Sequence, residues 1–211
     1  MADGDEDSPR LARNLVGLLT ELAGAPSEKR KPALPTLMDA KEWQRRTMLG
    51  LKVPDSAYVG AFRGEPGLER INVRIGSASG VAASQVAPEL AAFETSLHEV
   101  LAVLDQQYPT ADALDQDGLN AVIDVAGWAH AEWVRIHPFA NGTGRTARLW
   151  ANVVLMRYGI APVVRLRPRP DDGYEDAGAR AMHGDWSPTA DCFRALVAQA
   201  YELRGPSGKI H

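Results

Sequence analysis

The string His137-Pro-Phe-Ala-Asn-Gly-Thr-Gly-Arg-Thr-Ala-Arg148 gathers residue types that suit phosphate chemistry. Gly142 and Gly144 flank Thr143 and let the backbone turn successive N–H groups inward. The start of a helix adds unsatisfied donors and a partial positive charge, so phosphate oxygens can bind there. A Gly-x-Gly step alone equally describes a tight turn between two helices. Arg145 and Arg148 lie three apart, so both side chains can share a face of the first turn and reach one anion. Pairing with acidic residues elsewhere is the alternative. Two cations at a helix N-terminus oppose its dipole by roughly 0.3–1 kcal/mol each, a cost that an anionic ligand removes. His137 precedes a proline, which disfavours helical geometry there and puts the imidazole where the incoming helix ends and the loop begins. That placement suits a general base. His98, His130, His183 and His211 lack such a setting and read as ordinary surface or core histidines. Phe139, an aromatic in a short polar loop, reads as an anchor that fixes the loop's shape.

The elements that must position this loop are mostly helical. Leu11, Leu15, Leu18, Leu19 and Leu22 recur at spacings of three and four and predict an amphipathic helix ending near Gly24 and Pro26. That helix could dock on the core, pair with a second copy to form a homo-oligomer, or receive an inhibitor. Ser27 to Pro35 reads as a solvated linker. From Leu68, alternating apolar and polar residues, then Gly-Ser-Ala-Ser-Gly, then a second alternating piece ending at Val86, predict a β-hairpin. Helices are expected from Pro88 to about Gln106, from Asp117 through Trp128 and Trp133 to Ile136, and from just after Gly142 with Leu149, Val153, Val154 and Met156 on its apolar side. Pro109 to Gln116 is a turn region. Pro162 to Pro170 is a basic connector, followed by helices from about Asp171 to His183 and Pro188 to Leu203. The fold class is therefore all-α, a helical bundle with one hairpin laid on it.

The 211 residues, 45% of them apolar, suffice for one sizeable core. We divide them into an N-terminal helical extension and linker (1–50), a main domain (51–205) and a short tail (206–211). The balance of 23 basic against 27 acidic residues argues against a broad nucleic-acid surface. Cys192 is the one cysteine, and its apolar neighbours suggest a helical thiol packed in the interior. No apolar run is long enough to cross a bilayer or form a signal segment, so no membrane role and a cytoplasmic setting are expected.

The loop resembles the motif of the Fic family, His-x-Phe-x-(Asp/Glu)-Gly-Asn-Gly-Arg-x-x-Arg, and the resemblance extends from about Tyr58 to Ala200. It implies a Fic-type helical bundle with a small β-hairpin flap, and a protein adenylyltransferase. On that resemblance, His137 would deprotonate a Ser, Thr or Tyr hydroxyl of a target protein, which then attacks the α-phosphorus of ATP. Pyrophosphate would leave with Mg²⁺. Gly142, Thr143 and Gly144 would hold the phosphates, with Arg145 and Arg148 neutralising them. Ile71, Asn72, Val73, Arg74 and Ile75 would form the flap that clamps the target strand. Tyr174, with Gly184-Asp185 beyond it, would line the adenosine pocket.

Three positions depart from the family pattern. Asn141 stands where a carboxylate usually ligates Mg²⁺; its amide oxygen can bind a hard cation but brings no charge. Thr143 replaces Asn, keeping the backbone donor and stiffening the turn. Met182 stands where the pocket segment usually offers Asn. The family's inhibitory string, (Ser/Thr)-x-x-x-Glu-(Gly/Asn), is missing from both terminal segments, and Thr95-Ser-Leu-His-Glu99-Val has its spacing only by coincidence. A small antitoxin-like protein would then supply that glutamate, or inhibition works otherwise. Transfer of another nucleotide or of phosphate, and a catalytically weakened nucleotide-binding scaffold, are the competing readings.

Overall fold

The leucine face near the N-terminus forms as its spacing dictates. In the computed structural model, which describes residues 8–24, 31–166, 168–170 and 173–204, helix α1 (Pro9–Gly24) buries Leu11, Leu15 and Leu18. It packs on α2 (Leu37–Thr47) and on α5 (Thr143–Arg157). Helix α1 thus docks on the core, one of the three roles its leucine face suggested. Asn14 fastens it by donating to the carbonyls of Thr47 and Leu49 at 3.1 and 2.9 Å.

Helix α2 is begun by a capping box in which Thr36 and Asp39 satisfy each other's backbone N–H. Such a cap contributes about 1 kcal/mol. Trp43 of α2 meets Trp150 of α5 edge to face at 5.0 Å. The expected solvated linker does not hold where the structure describes it; residues 27–30 of that stretch lie outside the described residues. Lys31 pairs with Asp105 at 2.8 Å and stands over the Tyr158 ring at 4.0 Å. Arg157 donates to the Pro32 carbonyl, and Pro35 is buried. A half-buried carboxylate and an aromatic face hold this cation better than water does. Against the burial that would raise it, hydrogen bonds from Arg157, Lys31 and Tyr158 hold the Asp105 carboxyl below its ordinary range.

The hairpin forms but is shorter than its sequence suggested. Strands β1 (Arg74–Ile75) and β2 (Ala78–Ser79) pair antiparallel, with Arg74 opposite Ser79. The turn is Gly76-Ser77, and Ala78-Ser79 belongs to a strand. The second alternating piece is the opening of α3 (Ala83–Gln107), because Ala83 and Val86 are spaced for a helix face as well as for a strand. Pro88 lies inside α3 instead of opening it. Both Pro88 and Ser84, whose carbonyl loses a partner to the proline, are exposed, so water can satisfy it.

Helix α4 (Gln116–Ile136) is the centre of the bundle, touching α3, α5, α6 (Tyr174–Ala181) and α7 (Ser187–Arg204). A Cβ on Gly127 would lie 2.7 Å from the Ala190 Cα, so glycine sets how closely α7 approaches. Phe62, Phe93, Trp133, Phe139 and Trp150 form a connected aromatic core beneath the motif loop. Burying side chains of this size stabilises the fold by roughly 1.5–3 kcal/mol each. Cys192 is half-buried on α7, at the margin of the wider hydrophobic core. Among the described residues, no helix is long and apolar enough to cross a membrane.

Candidate active site

Helix α4 ends at Ile136, and His137 takes up a left-handed conformation, φ 53° and ψ 60°, alone among the described non-glycine residues in having positive φ. A residue with a Cβ holds that geometry only where its surroundings enforce it. Here the constraints are explicit. The Arg63 Nε donates to the His137 carbonyl at 2.7 Å, and the Arg63 backbone N–H donates to the Pro138 carbonyl at 2.7 Å. Phe139, fully buried against Phe62 and Trp133, anchors the loop as its position suggested.

The loop is braced from within and from α2. The Thr143 hydroxyl lies 3.2 Å from both the Phe139 N–H and the Phe139 carbonyl, closing the turn. This is the stiffening expected of threonine, achieved by its hydroxyl as well as its branching. The Gln44 amide, fully buried, donates to the carbonyls of Asn141 and Tyr58 and accepts from the Gly60 N–H at 3.1, 3.0 and 2.6 Å. Gly142 has φ 90°, and the ladder of α5 begins only with the Arg145 and Thr146 N–H groups on the Gly142 carbonyl. The N–H groups of Thr143 and Gly144 therefore belong to the open end of the helix.

Arg145 and Arg148 are both buried, and they bracket that opening. A Cβ on Gly142 would lie 3.1 Å from the Arg145 guanidinium; one on Gly144 would lie 3.6 Å from that of Arg148. Arg145 donates to the Asn141 side-chain oxygen at 2.9 Å and reaches the Met48 sulfur at 3.3 Å. Arg148 donates to the Leu166 carbonyl at 3.0 Å and to the Tyr174 hydroxyl at 3.4 Å. Both of those oxygens are neutral, so the Arg148 charge stays available to an anion.

Burial pushes the His137 imidazole down to about 4; the Val134 carbonyl works against this shift and the Arg63 cation adds to it. The ring is neutral at pH 7. Its Nδ1 lies 3.3 Å from the Val134 carbonyl, which can only accept, so Nδ1 carries the proton and the Nε2 lone pair is left as a base.

Tyr174 is buried, and burial raises its phenol. Its hydroxyl is 2.7 Å from His130 Nε2. His130 is a core histidine, as its sequence setting suggested, but it supports a residue of the site. Burial, and then the nearby Arg148 cation, push it down to about 3. Asp185 is half-buried and engaged by Ser187 and Arg180, while Met182 ends α6. In the flap, Arg74 and Ile75 are exposed, and Ile71 and Val73 half-buried. Asn72 supports the fold instead, since its side chain accepts from the Ala83 N–H at 3.1 Å and caps α3.

Three residues of this assembly carry no signal in the sequence. Gln44, Arg63 and Gly80 act on backbone or on space. A Cβ on Gly80 would lie 2.6 Å from the His137 Cβ, so only glycine lets the returning arm of the flap come this close to the imidazole.

Comparison with known proteins decides the lineage. The Fic/DOC family model matches residues 36–155, which run from α2 into the last turn of α5 and include the flap and the whole motif loop. The chain belongs to the Fic/DOC family. Similar curated proteins include a protein adenylyltransferase Fic from Nematostella vectensis, 46% identical over 81 residues, which cover 38% of this chain and 18% of that protein. Another is a protein adenylyltransferase from Caenorhabditis briggsae, 42% identical over 64 residues, covering 29% and 13%. The match thus spans less than a fifth of either relative. The fold resembles that of BepC from Bartonella tribocorum, solved with bound AMPPNP, at TM-score 0.62 and 17% identity, covering 93% of this chain and 88% of that one. It also resembles Fic-1 from C. elegans at TM-score 0.55 and 22% identity, covering 96% and 52%.

Proposed function

We propose that this Fic domain transfers AMP from ATP to a Ser, Thr or Tyr hydroxyl of another protein. The observation that carries the reading is the joint placement, at the open end of α5, of a neutral His137 and two guanidiniums that bracket the Gly142-Thr143-Gly144 turn. The hydroxyl proton passes to His137 Nε2 as the oxygen bonds to the α-phosphorus. The bond from that phosphorus to the β-phosphate oxygen breaks, and pyrophosphate leaves. The N–H groups of the turn, with Arg145 and Arg148, stabilise the charge on the phosphates, so positioning and fixed electrostatics supply most of the rate. Tyr174 borders the nucleoside side. Residues 71–75 present the target, and the exposed Ile75 is the natural first contact. Glu99 lies within α3; an inhibitory carboxylate directed at Arg148 would come from a separate small protein, or inhibition works otherwise.

The protein side offers little to a divalent cation. Asn141 gives one neutral oxygen, already held by Arg145, and no cluster of three or more His, Cys, Asp or Glu able to hold a metal exists among the described residues. Magnesium usually binds through one or two carboxylates together with substrate phosphates. These residues do not build a resident site; magnesium would enter on the phosphates of ATP.

That same Asn141 favours the second reading, a weakened nucleotide-binding module. Mass spectrometry separates the two. Purified protein is incubated with ATP, and separately with UTP, plus Mg²⁺ in a cell extract, beside His137→Ala. An AMP adduct confined to the wild type is the expected result. Retained ATP binding without an adduct from either nucleotide would support the binding module.

A further inference from the structure

We infer that Arg63 is a positioning residue whose single guanidinium fixes His137 and both arms of the flap as one unit. This rests on the proposed role of His137 as the base. Arg63 is 1% exposed. Its Nε donates to the His137 carbonyl at 2.7 Å and its Nη1 to the Ile71 carbonyl at 3.1 Å. Its Nη2 is shared between the carbonyls of Val81 and Ile136 at 2.8 and 2.9 Å. Ile71 lies before β1 and Val81 after β2, so the two arms of the hairpin are tied to the end of α4 through one planar group.

Each of these contacts has a physical reason. The last carbonyls of α4 have no partner within their own helix and carry the negative end of its dipole, which is where a buried cation is best tolerated. A guanidinium presents five N–H donors in a rigid fork and can serve three chain segments at once; a lysine ammonium is a point charge on a flexible stem and cannot. The left-handed His137 needs constraint on both sides, and Arg63 supplies it through its Nη2 on the Ile136 carbonyl before it and its Nε on the His137 carbonyl after it, with its N–H holding the Pro138 carbonyl beyond. Gly80 completes the contact by bringing the return arm against the His137 Cβ. Of the charged groups near the imidazole among the described residues, Arg63 is the one whose field reaches it. Arg145 and Arg148, across the loop on α5, are turned toward Asn141 and Tyr174; Val134 on α4 and Gly80 on the flap present uncharged groups.

The test uses the full chain and reads hydrogen exchange and the His137 ring titration by NMR, beside the pH dependence of adenylylation, for wild type, Arg63→Lys and Arg63→Met. In Arg63→Lys we expect a cooperative melt and unchanged ATP affinity, with exchange of the Gly80 N–H, which bonds the Val73 carbonyl, accelerated about tenfold or more. Turnover should fall through kcat. In Arg63→Met the His137 titration and the acid limb of the rate should both move up. Folded variants with wild-type flap exchange and wild-type His137 titration would overturn the proposal. Should both variants fail to fold, the wild type decides: the Arg63 Nε–H and the Gly80 N–H must be released in the same opening event. Independent release of the Gly80 N–H would overturn the proposal. Absence of turnover in the wild type would count against the adenylyltransferase reading alone, since the exchange and titration readouts do not use it.

Discussion

Arg145 donates a 2.9 Å hydrogen bond to the side-chain oxygen of Asn141, four residues earlier in the same loop. The oxygen nearest in role to a metal ligand is thus neutral and already engaged. Replacing it by a carboxylate, Asn141→Asp, adds a charge that a hard cation requires. We expect the Mg²⁺ concentration for half-maximal ATP binding to drop on the order of tenfold, equivalent to about 1.4 kcal/mol. Calorimetric titration of ATP at varied Mg²⁺ checks this. An unchanged requirement would mean that Arg145 captures the new carboxylate entirely.

Thr143 offers a test of the loop's internal brace. Thr143→Val keeps the shape but leaves the Phe139 N–H and carbonyl without their partner in a buried setting. An unsatisfied buried group costs about 1–3 kcal/mol. For a chain of this size that lowers Tm by roughly 2–4 °C per kcal/mol. ATP affinity should fall with it, because the turn presents the phosphate donors. Thr143→Ser, which retains the hydroxyl, should stay close to wild type in both a thermal melt and an ATP titration.

How far the sequence disclosed this arrangement depends on where the partners lie. The motif loop was legible because histidine, glycines and arginines are contiguous, and α1 was legible because its leucines repeat at helical spacing. The start of α3 was not, since Ala83 and Val86 fit a strand and a helix turn equally over so few residues. The Lys31 segment looks solvated in sequence because its carboxylate partner, Asp105, is remote in the chain. Arg63 and Gln44 left no trace at all. Their partners are main-chain carbonyls as distant as His137 and Asn141, and a carbonyl has no residue type that could be matched by pattern. His130 looked ordinary because Tyr174 comes 44 residues later.

Gly80 should tolerate no side chain. A Cβ there would lie 2.6 Å from the His137 Cβ and 3.0 Å from the Arg63 guanidinium. Overpacking of this sort costs roughly 1–3 kcal/mol. Because the clash falls on the base itself, Gly80→Ala should lower kcat by about tenfold or more, on the reasoning that small misplacements of a reacting group are expensive. Its ATP affinity should stay near the wild-type value. Steady-state kinetics beside an ATP titration separates the two effects, and equal losses in both would point to a general loosening of the loop.

His130, which is buried, and His137, which is half-buried, make stability depend on pH in a window that carboxylates do not control. Burial holds His130 at about 3 and His137 at about 4 in the folded chain, below the ordinary value of 6.5. Both are therefore neutral when folded, while the unfolded chain binds their protons below about pH 6.5. The unfolded state then carries more protons, so stability rises with pH across this range and is lost as pH falls. Each fully shifted histidine contributes up to about 1.4 kcal/mol per pH unit. Between pH 6 and pH 5 most carboxylates remain ionised, which isolates the histidine effect. We expect urea melts to show unfolding free energy falling from pH 7 to pH 5, and the slope to shrink in His130→Gln, which keeps a polar group near Tyr174 without titrating. An unchanged slope in a folded His130→Gln variant would show that His130 is protonated in the native bundle, contrary to its setting between Tyr174 and the Arg148 cation.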